Sequence, residues 1–256
     1  MCENYGQVTA LAFDPIEKKP LKRFRPGSLI LSAGSYGCNL RCPFCQNHAI
    51  SLEAHPDFKG GRDNKRGDSM PKTIFMTPGE LAKIAWEHKK DGNAGVAFTY
   101  NEPLIGWEFV RDTARLVKEY GMDSVAVTNG TVSLEVLEEL LPFIDAMNID
   151  LKGFSEEYYG KLGGSLEMVK AFIVRAAKDC HVELTTLIVP GENDSAEEME
   201  AESSWIASVD RKIPLHVTRF FPRYHMTDRD ATDIGQVYRL AETARRHLEY
   251  VFTGNC

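Results

Sequence analysis

At 256 residues, with 43% hydrophobic and 26% charged side chains, the chain is long enough to bury a substantial core and fits one large α/β domain. Its formal net charge of -7 argues against a nucleic-acid partner, whose phosphates would call for a basic face. The first residues are polar and charged, and no apolar run approaches the roughly 20 residues of a membrane helix, so no signal peptide or span is expected and a soluble, cytoplasmic protein is.

In chain order, Gln7 to Phe13 alternates like an extra strand within an N-terminal extension over residues 1–28. Leu29 to Ala33 opens a series of apolar runs expected as parallel strands, continued by Gly95 to Thr99, Ser124 to Thr128, Ala146 to Leu151, Val182 to Val189 and Leu215 to Phe220. Thr77, Pro78 and Glu80 predict a capping box that starts a helix over Pro78 to Asp91, stopped by Gly92. Ile105, Phe109, Leu116, Val117 and Tyr120 repeat at helical spacing in the next helix. Asp194 with Glu197 caps another, and Ile234, Val237, Tyr238, Ala241 and Leu248 mark the last. This alternation predicts a single domain over 1–256 built as a partial (β/α)6 barrel of TIM type, open on one side, with the extra N-terminal strand added. The stretch 53–72, rich in Gly, Pro, Lys, Arg and Asp, has no apolar period and is expected to be a mobile loop.

Six cysteines in a chain this long do not make a secreted disulfide framework, and three of them crowd into eight positions. Gly37-Cys38-Asn39-Leu40-Arg41-Cys42-Pro43-Phe44-Cys45-Gln46-Asn47 spaces its thiols C-x3-C-x2-C in a polar loop after a strand. Thiolates ligate iron–sulfur clusters, and a four-iron cubane on three protein sulfurs keeps one iron free for chemistry. His48 is close enough in sequence to complete a four-ligand zinc site, which is the competing reading, along with inert thiols. Cys2, Cys180 and Cys256 are scattered and read as free thiols.

The triplet, with Phe44 before its last cysteine and a strand before its first, resembles the radical S-adenosylmethionine superfamily. That resemblance implies a [4Fe-4S] cluster on Cys38, Cys42 and Cys45 and reductive cleavage of S-adenosylmethionine to methionine and a 5'-deoxyadenosyl radical. Tyr100-Asn101-Glu102-Pro103 stands where members commonly carry Gly-Gly-Glu-Pro, which implies that Glu102 receives the cofactor's ammonium group. Val127-Thr128-Asn129-Gly130 and Asn148-Ile149-Asp150-Leu151-Lys152 resemble segments of the glycyl-radical-enzyme activases, the pyruvate formate-lyase activating enzyme among them. They place Asn129 and Lys152 at ribose hydroxyls and the carboxylate, with Asp150 orienting the lysine or joining a cation. The implied cofactor contacts are thus Phe44, Tyr100, Asn101, Glu102, Thr128, Asn129, Asp150, Lys152 and His225, the last toward adenosine. Arg219 and Arg223 are candidates for a carboxylate.

The resemblance runs over nearly the whole chain and extends to the AmmeMemoRadiSam group through Asp14 to Leu21, Thr99 to Pro103 and Arg219 to Pro222. Val127 stands where activases tend to have an acidic residue, and Gln46 where they often have histidine. The implied partners are a reduced flavodoxin or ferredoxin-type electron donor and, for an activase, a protein substrate. Three readings compete: a radical enzyme acting on a protein glycine, one acting on a small molecule or nonglycyl protein site, and a zinc-stabilised binding module. Bound sulfide, a glycyl radical on a partner, and label transfer into 5'-deoxyadenosine separate them.

Overall fold

The computed structural model describes residues 2–52 and 71–256. The N-terminal alternation divides at Thr9 into β1 (Gln7–Val8) and β2 (Ala10–Pro15). β3 (Leu29–Gly34), the single turn α1 (His48–Ser51) and β4 (Ile74–Phe75) follow, β4 pairing antiparallel with β1. Strands and helices then alternate: α2 (Pro78–Glu87), β5 (Asn93–Phe98), α3 (Trp107–Glu119), β6 (Asp123–Thr128), α4 (Leu134–Leu140) and β7 (Ala146–Asp150). The second half comprises α5 (Glu156–Leu162), α6 (Leu166–Ala176), β8 (His181–Ile188), α7 (Ala196–Asp210), β9 (Leu215–Arg219), α8 (Ile234–Arg245) and β10 (Val251–Gly254). The expected loop at 53–72 lies, but for its last two residues, outside the described residues.

The main sheet runs β10-β9-β8-β7-β6-β5-β3-β2, parallel except for β2, which lies antiparallel on β3. β10 and β2 are its two edges, so the α/β barrel is open as expected. Among the described residues it carries one more parallel strand than the six expected. β10 has four residues with only Val251 buried, too little apolar pattern to stand out in sequence.

Helix ends follow local chemistry. Thr77 Oγ1 accepts from the Glu80 amide at 3.2 Å while the Glu80 carboxylate accepts from the Thr77 amide at 2.8 Å, which is the capping box expected. α2 nevertheless ends at Glu87, and a 3-10 turn over Lys89–Asp91 carries the chain to Gly92, whose φ is +93°. The cap of α7 is Ser195 instead of Asp194: Ser195 Oγ accepts from Glu198 N at 3.1 Å, and Asp194 instead accepts from Gly191 N at 3.0 Å. Adjacent Asp and Ser are both good caps, so sequence alone set the start one residue early.

Successive strand residues face opposite sides of the sheet. Leu31 and Ala33 join Val96 and Phe98 in the core beneath the helices, whereas Ile30 meets Ala97, Val125 and Ala146 inside the curve of the barrel. Ile16 and Leu21, both fully buried, fill that inner layer from the N-terminal segment. Each contributes roughly 1.5–3 kcal/mol by leaving water. The segment is fastened by Asn148 Nδ2, which donates to the Pro20 carbonyl at 2.9 Å. The extension is therefore the floor of the barrel as well as an added strand.

β6 leaves no room for a side chain at Gly95, since a Cβ there would fall 1.7 Å from the Asp123 carbonyl oxygen. Gly95→Ala is expected to lower the unfolding free energy by about 3 kcal/mol. The check is a urea midpoint that falls at unchanged slope. Among the described residues no helix is long and apolar enough to cross a membrane.

Candidate active site

Parallel strands deliver their following loops to one rim. The cysteine loop follows β3, Tyr100 to Pro103 follow β5, Asn129 and Gly130 follow β6, and Lys152 follows β7. Gly37 turns the chain into the cysteine loop at φ +89°, and a Cβ there would meet Ile105 Cδ1 at 2.8 Å. The loop is tied to its neighbours by Arg41 N, which donates to the Leu162 carbonyl at 2.8 Å, and by Gly37 N, which donates to Ile50 O at 2.8 Å. Cys42 and Phe44 are buried with Leu40, Tyr158 and Phe220, and Cys38 and Cys45 pack half-buried against the same cluster. The Phe44 and Phe220 rings meet edge-on with centroids 6.4 Å apart.

Burial pushes the thiols up, Cys38 to about 12 and Cys42 to about 11, with Cys45 raised in the same sense. The Lys152 ammonium opposes this at all three. A thiol must lose its proton to ligate, so the site favours a thiolate only when a metal's positive charge compensates the burial. Among the described residues no three His, Cys, Asp or Glu side chains converge as ligands of a single metal ion. A cubane offers each thiolate its own iron, so thiols distributed around one loop fit a cluster without meeting at a point.

Tyr158 supplies an independent sign of an absent acceptor. It is buried in the cluster that contains Cys42, and its hydroxyl has no hydrogen-bond partner among the described residues. Buried polar groups rarely stay unpaired, and cluster or thiolate sulfur can accept such a hydrogen bond. Tyr158→Phe is expected to stabilise the cluster-free protein by about 1 kcal/mol, because an unsatisfied hydroxyl is removed. In the reconstituted protein the same change lowers the cluster's midpoint potential, measured by redox titration. A destabilised cluster-free variant with an unmoved potential would contradict this account.

Glu102 lies 3% exposed and its carboxylate is the hub of the rim. Oε1 accepts from Leu104 N at 3.0 Å and Thr128 Oγ1 at 2.7 Å, and Oε2 accepts from Asn129 N at 2.7 Å. Burial raises its pKa to about 7 in spite of these three donors. The carboxylate thus couples the turns after β5 and β6 and keeps acceptor capacity on Oε2. Asn129 Nδ2 donates to Asn39 Oδ1 at 2.9 Å and lies 3.6 Å from Cys38 Sγ. Asn129 Oδ1 is used by Thr131, which donates its N–H at 2.9 Å and its hydroxyl at 2.5 Å.

Lys152 Nζ pairs with Asp150 Oδ2 at 2.7 Å. Burial opposes its charge, but Asp150 and Cys42 outweigh burial and hold the ammonium above its usual pKa. The lysine therefore presents a fixed positive charge beside the cysteines. Its backbone is held from two sides: Lys152 N donates to Tyr159 Oη at 3.0 Å, and its carbonyl accepts from Asn193 Nδ2 at 2.8 Å.

The other residues expected at the cofactor are engaged within the protein. The Tyr100 hydroxyl engages Asp14 at 3.0 Å instead of turning to the cysteines. The Asn101 amide is consumed by Ser35 N, Gly37 O and Glu102 O, all within 3.1 Å. His225 is exposed, and its backbone N–H, not its ring, reaches the cysteine loop by donating to Pro43 O at 2.9 Å. Arg219 is committed to the Thr232 carbonyl at 2.7 Å and to the Phe221 ring, while Arg223 is exposed. Sequence reasoning passed over Asn39, Asn47, Tyr158, Tyr159 and Asn193. Asn39 follows Cys38 and Asn47 stands two residues after Cys45, and short amides beside a ligand loop were the available signal.

The Radical SAM superfamily profile matches residues 33–202. An uncharacterized protein of Methanocaldococcus jannaschii is 37% identical over 254 residues, spanning 98% of this chain and 71% of that one. The pyruvate formate-lyase 1-activating enzyme of Escherichia coli is 28% identical over 193 residues, spanning 70% of this chain and 71% of its own. In fold, Streptococcus suis SuiB bound to S-adenosylmethionine is similar at a TM-score of 0.63 and 15% identity, covering 86% of this chain and 48% of that one. With the cysteine loop, the rim and the open barrel all inside or beside the matched region, the chain belongs to the radical SAM superfamily.

Proposed function

We propose that this radical SAM enzyme holds a [4Fe-4S] cluster on Cys38, Cys42 and Cys45 and cleaves S-adenosylmethionine reductively to initiate hydrogen abstraction from a substrate. The observation that carries the reading is the packing of all three cysteines on one buried cluster, with Lys152 and Glu102 beside them. Held by Cys38, Cys42 and Cys45, a cluster would supply the one electron that reductive cleavage of the sulfonium requires, with methionine and a 5'-deoxyadenosyl radical as the products. The chain's own part is electrostatic and geometric. Glu102 offers a carboxylate to the cofactor's ammonium group, and Lys152 offers a positive charge to its carboxylate. Asn129, whose amide lies 3.6 Å from Cys38 Sγ, would offer that amide to a ribose hydroxyl once its bond to Asn39 is exchanged. Phe44, Phe220 and Met226 keep water from the cysteine side of the rim.

The similarity to an activating enzyme supports a protein substrate and a one-electron donor of flavodoxin or ferredoxin type. An edge left open between β2 and β10 is compatible with a peptide as well as a small molecule. Anaerobic reconstitution with iron and sulfide, then dithionite and S-adenosylmethionine, is expected to yield 5'-deoxyadenosine. A bound, reducible cluster that gives none defeats the proposal. A glycine-centred paramagnetic signal on an added partner identifies activation, and deuterium transfer from a labelled small molecule identifies the alternative.

A further inference from the structure

Tyr100 carries a φ of +76°. Residues with a Cβ occupy that left-handed region roughly 5- to 30-fold less readily than the right-handed one. Something must hold it there, and the contacts are specific. Tyr100 Oη donates to Asp14 Oδ2 at 3.0 Å, the oxygen that also receives Lys19 Nζ at 2.9 Å and Ser32 Oγ at 3.0 Å. Lys19, only 3% exposed, places its ammonium 4.8 Å from the centre of the Tyr100 ring. Gly34 makes room for the ring, since a Cβ there would stand 2.7 Å from Tyr100 Cδ2. On the backbone side, Asn47 of the cysteine loop donates to the Tyr100 carbonyl at 2.6 Å. Asn101 and Glu102 come next in the chain.

We propose that Asp14 and Lys19 are positioning residues, which grip the Tyr100 ring and so hold the turn that aims Glu102 and fastens it to the cysteine loop. The N-terminal segment thereby reaches the cofactor site without touching the cofactor. This rests on the reading of Glu102 as the receiver of the cofactor's ammonium group.

Two substitutions at one residue separate positioning from packing. Tyr100→Phe loses only the hydroxyl grip and keeps the unfavourable backbone, whereas Tyr100→Gly loses the whole side chain but adopts the turn freely. Dissociation constants for S-adenosylmethionine are measured by titration calorimetry on anaerobically reconstituted protein. Amide hydrogen exchange over residues 101–104 is measured on the cluster-free protein, with melting curves to confirm folding. Tyr100→Phe is expected to raise Kd roughly 5- to 30-fold and to speed exchange of the Leu104 amide, which Glu102 Oε1 holds. Tyr100→Gly is expected to bind more tightly than Tyr100→Phe. Weaker binding by Tyr100→Gly than by Tyr100→Phe, or unchanged exchange in Tyr100→Phe, overturns the proposal. Glu102→Gln measured alongside isolates the underlying reading: wild-type affinity in that variant removes the ammonium contact, while the exchange data still decide whether Asp14, through the Tyr100 hydroxyl, holds the turn.

Discussion

Replacing Cys38, Cys42 and Cys45 together by alanine is expected to cut bound iron from about four per chain to fewer than about one. Formation of 5'-deoxyadenosine should vanish with it, while the fold remains. The fold survives because these thiols contribute to the core only as small apolar groups, and Cys42 is the only buried one of the three. Its truncation costs about 1 kcal/mol, well within the stability of a chain this size. The loop has independent fastenings as well, at Arg41 to Leu162 and Gly37 to Ile50. Single alanine variants should each retain part of the iron, in order of what remains near the missing sulfur. Cys38 has the Leu40 amide at 3.4 Å and Asn129 at 3.6 Å as neighbours, neither able to replace an anionic ligand. Iron and sulfide analysis, with circular dichroism as the control for folding, checks the result. Full iron loading in the triple variant would move the cluster to other residues and undo the assignment.

How much of this was readable from sequence depends on the range of the interaction. The cysteine spacing, the Thr77 capping box and the central strands are local patterns, and each appears where its residues stand. Glu102 was singled out as a cofactor contact, but its bonds to Thr128 and Asn129, 26 and 27 residues away, belong to strand neighbours that only the sheet brings together. Asp14 and Tyr100 are 86 residues apart, and no periodicity links an acid on an edge strand with a phenol at a distant turn. Tyr100 also shows why motif transfer runs out. At a glycine position a large side chain would be expected to crowd the cofactor, yet the left-handed backbone, with Gly34 making room, turns the ring to Asp14. β10 was missed for the opposite reason, because a short, half-buried edge strand needs little apolar sequence to pair.

The other large effect is expected far from the cysteines, at Glu183. Its side chain is fully buried on β8 and accepts four hydrogen bonds from the described residues. Arg23 N at 2.7 Å and His181 Nε2 at 3.0 Å reach Oε1, while Lys22 N at 3.0 Å and His216 Nε2 at 2.6 Å reach Oε2. Burial pushes the carboxyl up, but the two imidazoles and two backbone amides outweigh it and bring its pKa down to about 2. A carboxyl depressed in the folded state stabilises fully above its unfolded pKa and loses that stabilisation as pH falls. The window here runs from about 4.5 down to about 2, and at 1.36 kcal/mol per unit the contribution at neutral pH is about 3 kcal/mol. Glu183→Gln keeps the shape but removes the charge and one acceptor, so it should destabilise at pH 7 by about that amount and flatten the acid limb of stability. Because Lys22 and Arg23 lie in the segment that carries Leu21 into the barrel floor, amide exchange over residues 19–24 should accelerate more than exchange in β5 or β6. Urea titrations from pH 2.5 to 7 provide the check. Parallel acid limbs in the two proteins would show that the carboxylate does not latch the segment, and that Asn148 with the buried Ile16 and Leu21 holds the floor alone.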